Sequence, residues 1–247
     1  METPLLEAVR VSKTYPGNVR ALSDVSVSVA EGETLVLVGE SGCGKTTLLR
    51  LFNRLVEPSE GDLFVRGRAI HEFDPITLRR RTGYVQQEGG LLPHWTVRRN
   101  VTLVPELLGT NSGERNDRAD GLLNLVGLDA SDHASRYPSE LSGGQRQRVA
   151  FARALAADPD VILLDEPFGA LDAITRRQLQ GEFLRLKREL KKTFVVVTHD
   201  LAEAFRLGDT ISVMREGRIL QTGSPEALRA NPSDPYVREL LETGGAT

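Results

Sequence analysis

Residues that build disulfides, metal clusters and aromatic cages are scarce in this chain. One cysteine, Cys43, excludes an internal disulfide and any zinc site made of several cysteines. Four histidines are scattered, and no two share a helix at metal-ligand spacing. No apolar run approaches the roughly 20 residues that a membrane-crossing helix needs. Met1-Glu2-Thr3-Pro4 carries no basic-then-apolar export signal. A net charge of -3 and a pI of about 5.9 leave no general basic excess, which argues against nucleic acid as the main partner. Internal repeats and low-complexity segments are lacking too. The remaining composition is that of an ordinary globular protein, 40% hydrophobic and 26% charged over 247 residues, enough for one large domain or two small ones.

What is present is ordered around Gly39-Glu40-Ser41-Gly42-Cys43-Gly44-Lys45-Thr46, which fits the P-loop pattern G-x-x-x-x-G-K-[ST] in full. Thr34 to Val38 before it reads as a buried strand. Leu48, Leu51 and Leu55 after it are spaced for one face of a helix. The glycines let successive backbone N–H groups point into one cavity, at a helix start whose dipole favours anions. Lys45 reaches the outer phosphates of a nucleotide there, and the Thr46 hydroxyl is suited to Mg²⁺. The bland alternative is a glycine turn that binds nothing; the flanking strand and helix argue against it. Cys43 reads as a small tolerated side chain rather than a redox centre.

Elsewhere, Val9–Val11 and Val25–Val29 read as strands with turns at Pro16-Gly17 and Glu31-Gly32. Tyr15, just before the first turn, fits two roles, stacking on a base or packing a strand end. A short strand at Asp62–Val65 and a helical segment ending at Leu78–Arg81 follow. Gly83–Gln87 reads as a strand whose last glutamine either faces a ligand crevice or bonds local backbone. From about 88 to 158 the strand pattern gives way to helices, Val97–Leu108 and Glu114–Val126 among them. This stretch reads as a helical insertion into an α/β core. It ends in Leu141-Ser142-Gly143-Gly144-Gln145, a capped helix start with two glycines, followed by a helix over Arg146–Ala157. Val161–Glu166 is an apolar strand ending in two carboxylates. Either they are solvated acids at a strand end, or one anchors hydrated Mg²⁺ and the next polarises water for attack on phosphorus, the reading that the P-loop upstream favours. Ile174–Lys192 reads as a long helix, and Thr193–Thr198 as a strand ending in His199, a structural residue or a donor to a γ-phosphate. Ile211–Met214 and Arg218–Gln221 form a hairpin, and Ser224-Pro225-Glu226 starts a helix.

Together these segments resemble the nucleotide-binding subunit of an ATP-binding cassette (ABC) transporter from about residue 7 to 241. Leu141–Gln145 matches the signature motif LSGGQ. The resemblance implies an α/β fold: a P-loop NTPase (RecA-like) core, an N-terminal antiparallel β subdomain and an inserted helical signature subdomain. It implies a single domain over 5–241, with the helical part at about 88–158 and no C-terminal regulatory domain. It also implies an ATPase using Mg²⁺. Tyr15 then stacks on adenine, and Gly39 to Thr46 with Thr47 hold the phosphates. Gln87 is the Q-loop glutamine, Glu166 the general base, Asp172 the D-loop aspartate and His199 the switch histidine. Thr46, Gln87 and Asp165 surround the metal. Ser142, Gly143, Gly144 and Gln145 close over the ATP of a second copy, so two head-to-tail subunits sandwich two ATP molecules.

A finer resemblance, to import ATPases for quaternary amines and osmoprotectants (glycine betaine, carnitine, choline), rests on Phe52–Pro58, Leu91–Thr96 and Arg177–Gln180. It implies transmembrane permease subunits as partners, a solute-binding protein indirectly, and a peripheral place on the cytoplasmic face of the cell membrane. The Leu91–Thr96 loop with Trp95 is the candidate docking surface. Gly169 stands where the family often has serine. Alternatives are an importer for another solute, such as an amino acid or polyamine, and a soluble cassette ATPase acting on nucleic acid or ribosomes. The latter usually fuses two cassettes or carries zinc cysteines. A non-hydrolysing sensor is expected to lack the base, and Glu166 is present.

Overall fold

The computed structural model describes residues 3–87 and 89–243. Residues Met1 and Glu2, and position 88 where the helical insertion is expected to begin, lie outside them. Along the chain, β1 (Leu6–Tyr15), β2 (Val19–Val29) and β3 (Thr34–Val38) lead into α1 (Lys45–Leu51). Next come β4 (Glu60–Val65), β5 (Arg68–Ala69), α2 (Pro75–Arg80) and β6 (Thr82–Val85). Helices α3 (Val97–Leu107), α4 (Ser112–Leu125), α5 (Ala130–His133) and α6 (Gly143–Leu155) follow one another. Then come β7 (Val161–Asp165), α7 (Ala173–Leu190), β8 (Thr193–Thr198) and α8 (Leu201–Leu207). The chain closes with β9 (Thr210–Arg215), β10 (Arg218–Gly223), α9 (Pro225–Ala230) and α10 (Pro235–Thr243). It divides into two compact units, one of residues 1–78 with 193–247 and one of 79–192.

The first unit holds an antiparallel sheet in the order β2-β1-β4-β5 and the strands β10-β9-β3-β8. β3 runs parallel to both β8 and β9. Every residue of β3 and β8 is buried, as expected for uninterrupted apolar strands covered on both faces. β2 instead alternates buried and exposed residues after Leu22, so it shows one face to water. In the antiparallel sheet Leu6 lies opposite Val29 on one side and Val65 on the other.

α1 is shorter than its apolar pattern suggests. Arg54 adopts φ 55°, and the Leu55 N–H donates to the Arg50 carbonyl at 3.0 Å while Arg54 N–H donates to Leu51 at 3.1 Å. That pair of bonds is the Schellman closure of a helix, here with arginine where glycine is usual. Leu55 therefore leaves the helix face and is 48% exposed.

In the second unit β6 and β7 pair in parallel. α3, α4 and α6 pack on one another. Phe151, Phe168 and Phe183 join α6, the loop after β7 and α7, with ring centroids 6.2–6.3 Å apart. Helix starts are set by side-chain caps. Thr96 accepts from Arg99 N–H and Asn111 from Glu114 N–H, which starts α4 at Ser112, before Glu114. Asn100 is fully buried and staples the preceding loop. Its amide donates to the carbonyls of Leu92, Trp95 and Thr96 at 3.0–3.2 Å and accepts from Leu92 N–H at 2.8 Å.

Candidate active site

β3 delivers the glycine-rich loop. Gly39 (φ 155°), Gly42 (φ 81°) and Gly44 (φ 104°) all take positive φ. Two of them are walled by backbone: a Cβ on Gly39 would lie 2.1 Å from the Met214 carbonyl oxygen, and one on Gly44 2.4 Å from that of Ala21. Around Gly42 nothing would lie within 4 Å. The Cys43 carbonyl accepts from Gly217 N–H at 3.1 Å, tying the loop to the β9–β10 turn. Lys45 is 4% exposed, and its ammonium donates to the carbonyls of Gly39 at 2.7 Å and Glu40 at 2.8 Å. The loop's own backbone thus fixes where the cation sits. Burial pushes the Cys43 thiol up, against the pull of the Lys45 cation 3.8 Å away, so the sulfur stays protonated and unreactive. Ser41 is exposed, while Thr46 and Thr47 are half-buried in the first turn of α1.

β8 lies beside β3 with Thr198 opposite Val38, so Gly39 and His199 leave neighbouring strand ends. His199 is exposed, and Asp200 after it caps α8 by accepting from Glu203 N–H at 3.0 Å. Tyr15 ends β1 half-buried, with Lys13 Nζ 5.2 Å from its ring centroid. Tyr236 on α10 belongs to no motif, yet it reaches the same loop. Burial raises its phenol first, and the negative charge of Glu40 raises it further, while Arg215 lies 4.5 Å over the ring.

In the second unit Val85 pairs with Leu164, so Gln87 and Glu166 follow neighbouring strand ends. β6 stops at Val85 and β7 at Asp165, which puts both side chains just past the ladder rather than in it. Gln87 Nε2 donates to Glu166 Oε2 at 3.3 Å. Asp165 is 6% exposed and accepts from the Tyr84 hydroxyl at 3.2 Å. Glu166 itself has φ 46°, a left-handed conformation uncommon outside glycine that gathers at functional turns. A Cβ on Gly169 would lie 3.3 Å from Glu166 Oε2, so glycine here leaves the carboxylate room that a serine would narrow.

Ser142 caps α6 reciprocally: Gln145 N–H donates to its Oγ at 3.3 Å, and its own N–H donates to Gln145 Oε1 at 2.9 Å. The two glycines differ. Gly143 is exposed, whereas Gly144 is buried, and a Cβ there would meet the Thr175 methyl at 2.7 Å. Packing of α6 on α7 therefore explains the second glycine. Gly144→Ala is expected to cost about 1–3 kcal/mol as a lower urea midpoint, through overpacking. Gly143→Ala, whose Cβ makes ordinary contacts with Leu171 at 3.5 Å and the Arg146 guanidinium at 3.9 Å, should stay within about 0.5 kcal/mol. Asp172 caps α7 by accepting from Ile174 and Thr175 N–H at 3.1 and 3.0 Å, and the Thr175 bond leads the causes that hold its carboxyl below the usual range.

Comparison with known proteins fits this arrangement. The sequence model of the family described as ABC transporter matches residues 22–169. The choline transport ATP-binding protein OpuBA of Bacillus subtilis is 48% identical over 237 residues, 96% of this chain and 62% of that protein. The osmoprotectant import ATP-binding protein OsmV of Salmonella typhimurium is 49% identical over 223 residues, 90% of this chain and 58% of that one. The chain thus spans about 60% of the length of these relatives. Among solved structures, "Dimeric structure of a post-hydrolysis state of the ATP-binding cassette MJ0796 bound to ADP and Pi" superposes with a TM-score of 0.79 at 35% identity, covering 89% of this chain and 98% of that one. The α/β fold with its antiparallel sheet and helical segment is accordingly that of a P-loop NTPase cassette, and the chain belongs to the ABC transporter family.

Proposed function

We propose that this chain is the ATP-hydrolysing, energy-coupling subunit of an importer for quaternary amines or osmoprotectants such as glycine betaine, carnitine or choline. The observation that carries the reading is the Gln87–Glu166 contact at the ends of β6 and β7. It holds a carboxylate in place to receive a proton. Water oxygen attacks the γ-phosphorus, Glu166 takes the proton, and the bond from phosphorus to the β-phosphate oxygen breaks, giving ADP and phosphate. Lys45 and the loop N–H groups bind the phosphates. Tyr15 offers its ring to the base, and His199 donates to the γ-phosphate. The names of the relatives support the solute class.

The residues present fit Mg²⁺. Thr46 hydroxyl, the Asp165 carboxylate and the Gln87 amide oxygen are the hard donors it prefers. Gln87 gives its Nε2 to Glu166, which leaves Oε1 for a cation. When bound, it neutralises charge on the phosphates.

Two copies associate head to tail, with Ser142–Gln145 of one over the P-loop of the other. Permease subunits hold the pair at the membrane's inner face, and a solute-binding protein acts through them. Among the described residues no helix is long and apolar enough to cross a membrane. For the permease we assign the surface around Trp95, where Arg99 lies 4.8 Å over the indole. The adjoining cleft of about 320 Å³ is lined by Arg79, Tyr84, Leu92, Leu103 and Arg153. Trp95→Ala is expected to weaken permease binding about 30-fold or more, as for an aromatic hot spot, with ATP binding intact. Co-purification of the assembled complex reads this, and undiminished assembly would discard the surface. In reconstituted transporter, a quaternary amine should stimulate ATPase. Stimulation by an amino acid or polyamine in its place would overturn the solute class.

A further inference from the structure

Gln145 is held at both ends of its side-chain amide. Its Oε1 accepts from Ser142 N–H at 2.9 Å. The other end is therefore the NH₂ group, which only donates, and it lies 3.2 Å from His133 Nε2. Two donors do not satisfy each other, so that ring nitrogen carries a lone pair. The other nitrogen, Nδ1, lies 2.9 Å from the Asp129 carbonyl oxygen, which only accepts. Nδ1 therefore carries the hydrogen. One form of the ring meets both contacts: neutral imidazole with its hydrogen on Nδ1. The opposite tautomer fails at both ends, and the imidazolium fails at Gln145.

His133 stands where it does because α5 is fixed at its start. Asp129 Oδ1 accepts from Ser131 N–H at 2.9 Å, and Asn124 Oδ1 accepts from Ala130 N–H at 3.0 Å. A path of hydrogen bonds thus runs from the end of α4 through α5 to the tip of α6. No part of it upstream of Ser142 lies in the signature pattern.

We propose that His133, as the neutral Nδ1–H tautomer, is a positioning residue for the signature turn: it orients the Gln145 amide so that Oε1 caps Ser142 and the exposed tip keeps the shape that closes on nucleotide. The proposal rests on the reading that Ser142–Gln145 closes over the ATP of a second copy. His133 touches no reacting atom. It acts through Gln145.

The test uses the full chain with two substitutions. His133→Leu removes the acceptor and keeps bulk. His133→Gln places a non-titrating side-chain carbonyl near the position of Nε2. In a Glu166→Gln background, ATP-dependent dimerisation is read by size-exclusion chromatography; in the otherwise native chain, steady-state ATPase is read. His133→Leu is expected to weaken dimerisation and kcat about fivefold or more with the Kd of the monomer for ATP unchanged, and His133→Gln to recover both to within about twofold. Long-range ¹H–¹⁵N spectra at pH 7.5, with His133 assigned by its loss in His133→Gln, should show Nδ1 protonated and Nε2 bare. An Nε2–H tautomer, equal losses in both variants, or a leucine variant indistinguishable from the parent would overturn the proposal. If the Glu166→Gln parent forms no ATP-dependent dimer, the closing reading falls and the functional role falls with it. The tautomer spectrum then still reports on the contact alone.

Discussion

Glu166→Gln should lower ATP turnover by about 10²–10⁴-fold, the range a positioned general base contributes, while ATP still binds and the ATP-bound pair accumulates. The substitution keeps size and shape. The new amide still presents an oxygen to Gln87 Nε2, which donates to Glu166 Oε2 at 3.3 Å in the native chain. It also keeps the left-handed turn at φ 46°, because glutamine and glutamate share the same backbone cost there. What disappears is the negative charge and the capacity to take a proton. The effect should therefore fall on kcat and single-turnover rate, with ATP affinity close to native. Size-exclusion chromatography with ATP and Mg²⁺ should show a dimer that does not decay as nucleotide is consumed. Native-like hydrolysis in this variant would mean that another group accepts the proton.

β7 and the two acids at its end were legible in the sequence for a plain reason. Val161–Leu164 is an unbroken apolar run, and acids are costly inside a buried strand, so Asp165 and Glu166 mark its end. β3 and β8 were found to the residue on the same ground, since each is a continuous buried run bounded by polar or glycine residues. Long-range and single-residue effects were not legible. Arg54 closes α1 in a conformation that favours glycine, so the apolar spacing carried Leu55 onto a helix face it does not occupy. α5 has four residues and α8 seven, too short for a periodic pattern to show.

The site shows the same division. The P-loop, the signature pentapeptide and the strand-end polar residues announce themselves as residue types in order. What each does locally depends on partners far along the chain. Gly144 reads only as part of the signature motif, and the Thr175 methyl against it adds a packing reason for glycine. Asp172 reads as a D-loop residue, and its bonds to Ile174 and Thr175 add a second task, capping α7. Tyr236 and His133 lie in no pattern at all, and only folding brings one to Glu40 and the other to Gln145. A single sequence states which side chains are available, and packing decides which of them are committed to structure.

The P-loop glycines make that division measurable. Gly39→Ala should destabilise the chain by about 3 kcal/mol or more, because the new Cβ meets the Met214 carbonyl oxygen at 2.1 Å on a backbone already at φ 155°. No side-chain rotation relieves a clash with backbone, so β3 or β9 must shift. For a chain of this length that corresponds to a fall in Tm of roughly 6–12 °C. Gly42→Ala differs. Its Cβ meets nothing within 4 Å, and the cost is the strain of φ 81°, about 1 kcal/mol. Its Tm should fall by roughly 2–4 °C. Its main loss should be in ATP affinity, since the proposed binding mode brings phosphate close to this stretch of backbone. Thermal unfolding without nucleotide and calorimetric ATP titration separate the two. A Gly39→Ala chain with native Tm would show that the Met214 wall yields easily. A Gly42→Ala chain that binds ATP as tightly as the native one would place the phosphates away from the open side of the loop.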